Sequence, residues 1–218
     1  MPEARGTKHV YRMKDLPTMK KGLLIVFEGI DGTGKTTMAR RLAEWLNRNG
    51  HPAIRLKEPT DGPFGRRIRA LARDGRHTVS PQEELELFIQ DRIENCRDNI
   101  RPALGKGQCV VLDRYYFSSA AYQGALGLDP ETILKRNEEI AVIPDLVLLM
   151  DMPVQAGLER ISKIRKSAHD HFEGEKYLEN VRAIFLGIRR PFIRIVDAAR
   201  GPDLVFKEIL RLVSAFIA

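Results

Sequence analysis

Gly29, four further residues, then Gly34-Lys35-Thr36 reproduce the G-x-x-x-x-G-K-[ST] spacing of a phosphate-binding loop. The chemistry needs these residue types. Gly32 and Gly34 let the backbone turn inward and aim its N–H groups at one phosphate chain, and the helix that follows adds its positive end. The whole run Gly29-Ile30-Asp31-Gly32-Thr33-Gly34-Lys35-Thr36-Thr37 is therefore assigned to the phosphates of a nucleotide such as ATP. Lys35 is expected to be exposed to ligand, outside the core, and to reach the β/γ-phosphates. The Thr36 hydroxyl would coordinate Mg²⁺. A dinucleotide-binding turn would require G-x-G-x-x-G, and Thr37 stands where its third glycine belongs.

A second candidate is Asp113, which ends the apolar run Gln108-Cys109-Val110-Val111-Leu112 and precedes Arg114-Tyr115. An Asp delivered by a buried strand beside a phosphate loop is how such sites hold Mg²⁺ and its water. Arg66, Arg67, Arg69 and Arg73 crowd one short helix, more charge than one solvated face needs. Phe88 and Arg92 lie four apart on one helical face. Spacing alone places Phe88 in the core and Arg92 among surface charges. Ser118-Ser119-Ala120-Ala121-Tyr122-Gln123-Gly124 reads as a loop offering hydroxyls and an amide, and Arg160, Lys163, Arg165 and Lys166 accumulate before a polar stretch.

The elements that position these groups follow from the apolar pattern. Leu23 to Phe27 reads as a strand buried on both faces, and a helix continues from the loop to about Asn49. Ala53 to Lys57 is a short strand that cannot continue through Glu58-Pro59-Thr60-Asp61-Gly62-Pro63, so a loop should lie there beside the first. Ser80-Pro81-Gln82-Glu83 is a capping box that opens a long helix to about Leu104. A helix from about Pro130, strands Leu146–Met150 and Phe192–Val196, helix Tyr177–Ile188 and a closing helix Leu204–Phe216 complete the pattern, with Ser167–Gly174 as loop. Alternating strands and helices imply an α/β fold, a parallel sheet covered on both faces. Residues 1–21 read as an irregular extension and 22–218 as a single domain, without internal repeats.

Composition narrows the ligand. The net charge of +7 suits a phosphate-bearing partner, but no block of five like charges appears and aromatic residues do not alternate with Lys and Arg. Small nucleotides are favoured over nucleic acid. Cys96 and Cys109 lack metal or redox spacing and read as buried hydrophobes; His169-x-His171 has no second ligand pair and reads as polar loop. No stretch suits a membrane span or signal peptide, so a soluble cytoplasmic protein is expected.

With Phe27-Glu28-Gly29 through Thr37, then Asp113-Arg114-Tyr115, then Ser118-Ser119-x-Ala121-Tyr122-Gln123-Gly124 in order, the chain resembles thymidylate (dTMP) kinases from residue 23 to about 213. Pro144-Asp145, Phe172-Glu173 and Val196-Asp197-Ala198 add to the match. The resemblance implies a three-layer P-loop kinase fold with a short lid at about 163–174, usually a homodimer, that transfers phosphoryl from ATP to dTMP. It implies Phe88 stacked on thymine, Arg92 at O4, Ser119 and Gln123 at the base's polar edge, and Tyr122 under the sugar at C2′. Asp31 would serve the 3′-hydroxyl region and Arg114 with Lys57 the acceptor phosphate. The resemblance also implies that Pro59, Arg69 and Ser118 belong to the same site and that Glu173 joins Thr36 and Asp113 at the metal. Part of the family carries an arginine directly after the loop Asp. Gly32 stands there, so the catalytic cations beyond Lys35 and Arg114 would come from the lid side, Arg165 first and Arg160 next. The chain departs from the family at Lys57-Glu58-Pro59-Thr60-Asp61-Gly62, where most bacterial members have Arg-Glu-Pro-Gly-Gly-Thr, and at His171, where the lid usually has Arg. The alternatives are a kinase for another nucleoside monophosphate and a nucleic-acid-associated P-loop ATPase.

Overall fold

A computed structural model describes residues 22–74, 79–164 and 171–217. The proposed extension at 1–21 and Arg165, Lys166 and His169 fall outside the described residues. Strands β1 (Leu24–Glu28), β2 (Ala53–Lys57), β3 (Cys109–Asp113), β4 (Leu146–Asp151) and β5 (Ile193–Asp197) form one all-parallel sheet in the order β2-β3-β1-β4-β5. The order reverses at β1, between β3 and β4. In a sheet of this kind the crevice beyond the carboxyl ends at such a point receives the ligand.

Alternation along the strands divides the core between two faces. Leu24, Val26, Val110, Leu112, Val147 and Leu149 point to one side, against helices α3 (Pro81–Asn95), α5 (Tyr116–Gly124), α6 (Pro130–Glu138) and α8 (His171–Gly187). Ile25, Phe27, Val111, Leu146, Leu148 and Met150 point to the other, against α1 (Lys35–Arg48) and α9 (Pro202–Ile217). The result is the three-layer α/β fold expected. The remaining described helices are α2 (Pro63–Asp74), α4 (Arg101–Gly105) and α7 (Val154–Ile164).

Local signals explain most boundaries. The Ser80 hydroxyl accepts from the Glu83 N–H while the Glu83 carboxylate accepts from the Ser80 N–H, closing the capping box. The helix it opens is not regular to its end. Cys96–Ile100 widens into a π-helical turn between α3 and α4. Pro102 has no N–H for the carbonyl four residues back and its ring crowds that carbonyl, which a widened turn relieves.

Two segments read as loop are helical. Residues 171–174 belong to α8. The segment 118–124 belongs to α5, whose first turn is capped from another strand: the Glu28 carboxylate accepts the N–H groups of Tyr115 and Ser118 and the Ser118 hydroxyl. A cap 87 residues distant in sequence leaves no local trace. Cys96 and Cys109 are buried and unpaired by disulfide. Among the described residues no helix is long and apolar enough to cross a membrane.

Candidate active site

The loop after β1 turns through three glycines with positive φ, Gly29, Gly32 and Gly34. Gly29 and Gly32 also lack room for a side chain, since a Cβ would fall 2.3 Å from the carbonyl oxygens of Met150 and Gly157 respectively. Gly34 is the N-cap of α1, so the helix's positive end opens into the loop. The Thr33 hydroxyl donates to the Ile30 carbonyl at 2.9 Å and fixes the turn from within.

Asp31, Gly32, Thr33, Gly34, Lys35, Thr36 and Thr37 line a cleft of about 920 Å³. Gly29 and Ile30 are outside that lining, and Ile30 is buried in the core. Lys35 departs from expectation. It is buried, and its ammonium donates to the Ile30 carbonyl at 2.6 Å, folded back on its own loop. Burial pulls its pKa down to about 7, with the Arg114 charge adding to the effect and Asp31, Asp113 and Glu28 opposing it.

Asp113 ends β3 opposite Phe27 of β1 and Lys57 of β2. The Thr36 hydroxyl donates to its carboxylate at 2.6 Å. A hydroxyl and a carboxylate in contact beside a phosphate loop are hard oxygen donors of the kind Mg²⁺ takes. Among the described residues no cluster of three or more His, Cys, Asp or Glu forms a complete metal cage. Glu173 lies in α8, and its side chain is outside what the structure describes.

Arg114 follows with φ 70, a left-handed conformation rare for a side chain of this size. Its backbone N–H bonds the Phe27 carbonyl, and its guanidinium donates to Asp31 at 2.5 Å, Ser118 at 3.1 Å and the Tyr122 hydroxyl at 3.4 Å. The guanidinium also lies over the Tyr122 ring, 5.2 Å from its centre. This places it between the first cleft and a second cavity of about 420 Å³. Asp31, Glu58, Pro59, Arg69 and Arg114 line both. Phe88, Arg92, Ser118, Ser119, Tyr122 and Gln123 line the second alone, whereas Lys57 lines the first.

Spacing had Phe88 in the core and Arg92 on the surface, and the structure reverses this. Phe88 is half-buried and faces the cavity, while Arg92 is 1% exposed. The Arg92 guanidinium makes two bonds to Glu58, at 3.0 and 2.7 Å, one to Asn137 at 2.6 Å and one to Ser119 at 3.3 Å. These engage four of its five N–H groups, so among the described residues one remains to meet a ligand. Burial pushes the Glu58 carboxyl above its ordinary value against the pull of Arg92. Buried Gln123 donates to Glu84 at 3.0 Å, and its Oε1 has no hydrogen-bond partner among the described residues.

Opposite the loop, Ile161, Ala198, Arg200, Pro202 and Val205 extend the first cleft. Arg160 lines that end and donates to the carbonyls of Ala198 at 3.0 Å and Ala199 at 3.3 Å. Glu28, Glu58, Asn137 and Arg200 were not legible as site residues. Glu28 and Glu58 stood inside recognised motifs, but nothing in their spacing marks them as anchors for Ser118 and Arg92.

The thymidylate kinase family profile matches residues 27–209. The chain belongs to the thymidylate kinase family. A thymidylate kinase of Desulfotalea psychrophila is 45% identical over 196 residues, covering 90% of this chain and 96% of the relative. Thymidylate kinases of Xanthomonas euvesicatoria pv. vesicatoria and Xanthomonas oryzae pv. oryzae are 46% and 45% identical over 197 residues, covering 90% of this chain and 85% of each relative.

Proposed function

We propose that this chain phosphorylates dTMP to dTDP with ATP as donor, the first cleft taking ATP and the second cavity the acceptor. The observation that carries this reading is the common wall: two spaces of nucleotide size meet at Asp31, Glu58, Pro59, Arg69 and Arg114. A phosphoryl group crossing from one nucleotide to the other would cross it there. Family membership supports the choice of acceptor.

In this reading the loop N–H groups and the α1 N-terminus hold the donor phosphates, and Lys35 leaves the Ile30 carbonyl for the β/γ-phosphates. Arg114, held by Asp31 and Ser118, faces the group in transfer. Thr36 and Asp113 would hold Mg²⁺, with Glu173 as a further ligand. When bound, the ion neutralises charge on the phosphate oxygens. Phe88 offers a ring to stack on the base, with the remaining Arg92 N–H, Ser119 and Gln123 at its polar edge. Tyr122 lies beside Arg114, fitting a place under the sugar. Arg160, tied to the Ala198–Ala199 carbonyls, serves the far end of the donor cleft. Arg165 remains the proposed lid cation, and a homodimer in the cytoplasm belongs to the same reading on the strength of the resemblance.

Measuring ADP formation with dTMP, dUMP, dCMP, dGMP and UMP tests the acceptor. Preference for dTMP is expected. Preference for another acceptor replaces the substrate assignment, and DNA-stimulated hydrolysis without any acceptor replaces the reaction. Arg165→Ala should lower kcat by about a hundredfold with little change in dTMP binding, as for a contact made only in the transition state. A kcat within about threefold of wild type excludes Arg165 and leaves Arg160 as the next variant.

A further inference from the structure

The loop after β2 carries an anion beside two cations expected to serve the acceptor. Asp61 pairs with Arg69 at 3.0 Å and with Lys57 at 3.5 Å. Both cations line the donor cleft and Arg69 lines the acceptor cavity as well; Asp61 lies outside both linings. We propose that Asp61 is a built-in counter-anion that weakens capture of the acceptor's phosphate by partly neutralising Lys57 and Arg69.

The geometry separates this from a positioning role. Arg69 donates through Nη1 to the carbonyls of Pro59 at 3.1 Å and Thr60 at 2.5 Å, so its guanidinium is anchored without Asp61. Lys57 ends β2 in register with Asp113, which fixes its backbone. The loop itself is held from elsewhere. Asp91 accepts the Thr60 N–H at 2.8 Å and its hydroxyl at 2.5 Å, Arg92 holds Glu58, and Arg66 donates to the Asp61 carbonyl at 2.7 Å. A Cβ on Gly65 would come within 1.9 Å of the Thr60 carbonyl oxygen, so the start of α2 closes tightly on this loop. With the Arg69 guanidinium, the Lys57 backbone and the loop fixed independently, the Asp61 carboxylate contributes mainly its charge. A phosphate dianion arriving there meets cations already paired and a like charge behind them. The Asp61 side chain is 78% exposed, so solvent screens the effect and keeps it modest.

The inference rests on the acceptor assignment above, and the test separates the two. Binding of dTMP and of thymidine, which lacks the phosphate, is measured by calorimetry for wild type and Asp61→Asn. The substitution is expected to tighten dTMP roughly fivefold, less so at high salt, and to leave thymidine within about twofold. Unchanged or weaker dTMP binding overturns the proposal, and so does an equal change for thymidine, which would signal a moved loop. If wild type binds neither, the acceptor assignment fails. Inorganic phosphate titrated into the same two proteins then decides Asp61: tighter binding to Asp61→Asn supports the counter-anion, equal or weaker binding overturns it.

Discussion

A phosphate-loop lysine is expected to face its ligand, yet the Lys35 ammonium is buried against the Ile30 carbonyl. Its pKa falls from 10.5 to about 7, so between those values the unfolded chain holds more protons than the folded one. Stability therefore rises with pH across that window, and the cost of burying the charge is fully present below pH 7. Lys35→Met should raise the urea midpoint above wild type near pH 6, and the gap should shrink toward about pH 9.5. A gap independent of pH would mean that the ammonium is not desolvated. In the same variant phosphoryl transfer should fall about a hundredfold or more. Arg92 presents the opposite case, a charge whose burial is compensated by Glu58. Arg92→Ala should cost about 3–5 kcal/mol by leaving Glu58 buried without its cation, and Arg92→Met with Glu58→Leu should recover most of that. A double variant no more stable than Arg92→Ala would show that packing, not the stranded carboxylate, sets the cost.

At the scale of elements, the loop and α7 interlock through two glycines. A Cβ on Gly32 would fall 2.3 Å from the Gly157 carbonyl oxygen, and one on Gly157 would fall 2.9 Å from that of Asp31. This packing gives a steric reason why the position after Asp31 carries no arginine here. Gly32→Ala should destabilise by about 2–4 kcal/mol, combining a left-handed backbone with overlap, and should weaken ATP binding at least about tenfold. Wild-type melting and ATP affinity in that variant would refute the contact. The strands and the phosphate loop were legible because their signals are local: consecutive apolar residues, glycine spacing, a capping box. The first turn of α5 was not, because its cap is Glu28 from another strand, and the inward turn of Arg92 was not, because its partners Glu58 and Asn137 lie on other elements. Periodicity reports which face a residue occupies; it does not report a buried counter-charge on that face.

At the scale of the whole molecule, the sheet order sets β1 between β3 and β4 and so brings Asp31 and Arg114 to the boundary of two cavities. The layout predicts which kinetic constant each variant moves. Phe88 lines only the acceptor cavity, so Phe88→Ala should raise KM for dTMP about tenfold and leave KM for ATP unchanged. Arg160 lines only the donor cleft, so Arg160→Ala should do the reverse. Arg114 lines both, and Arg114→Ala should raise both KM values while lowering kcat about a hundredfold if, as proposed, its charge faces the group in transfer. Fold damage is separable from this. Arg114 holds φ 70, a conformation glycine adopts freely, so Arg114→Gly should be about 1 kcal/mol more stable than Arg114→Ala while losing the same kinetics. If Arg114→Ala moved only one KM, the common wall would not be where the two nucleotides meet, and the assignment of the two spaces would have to be redrawn around whichever nucleotide kept its affinity.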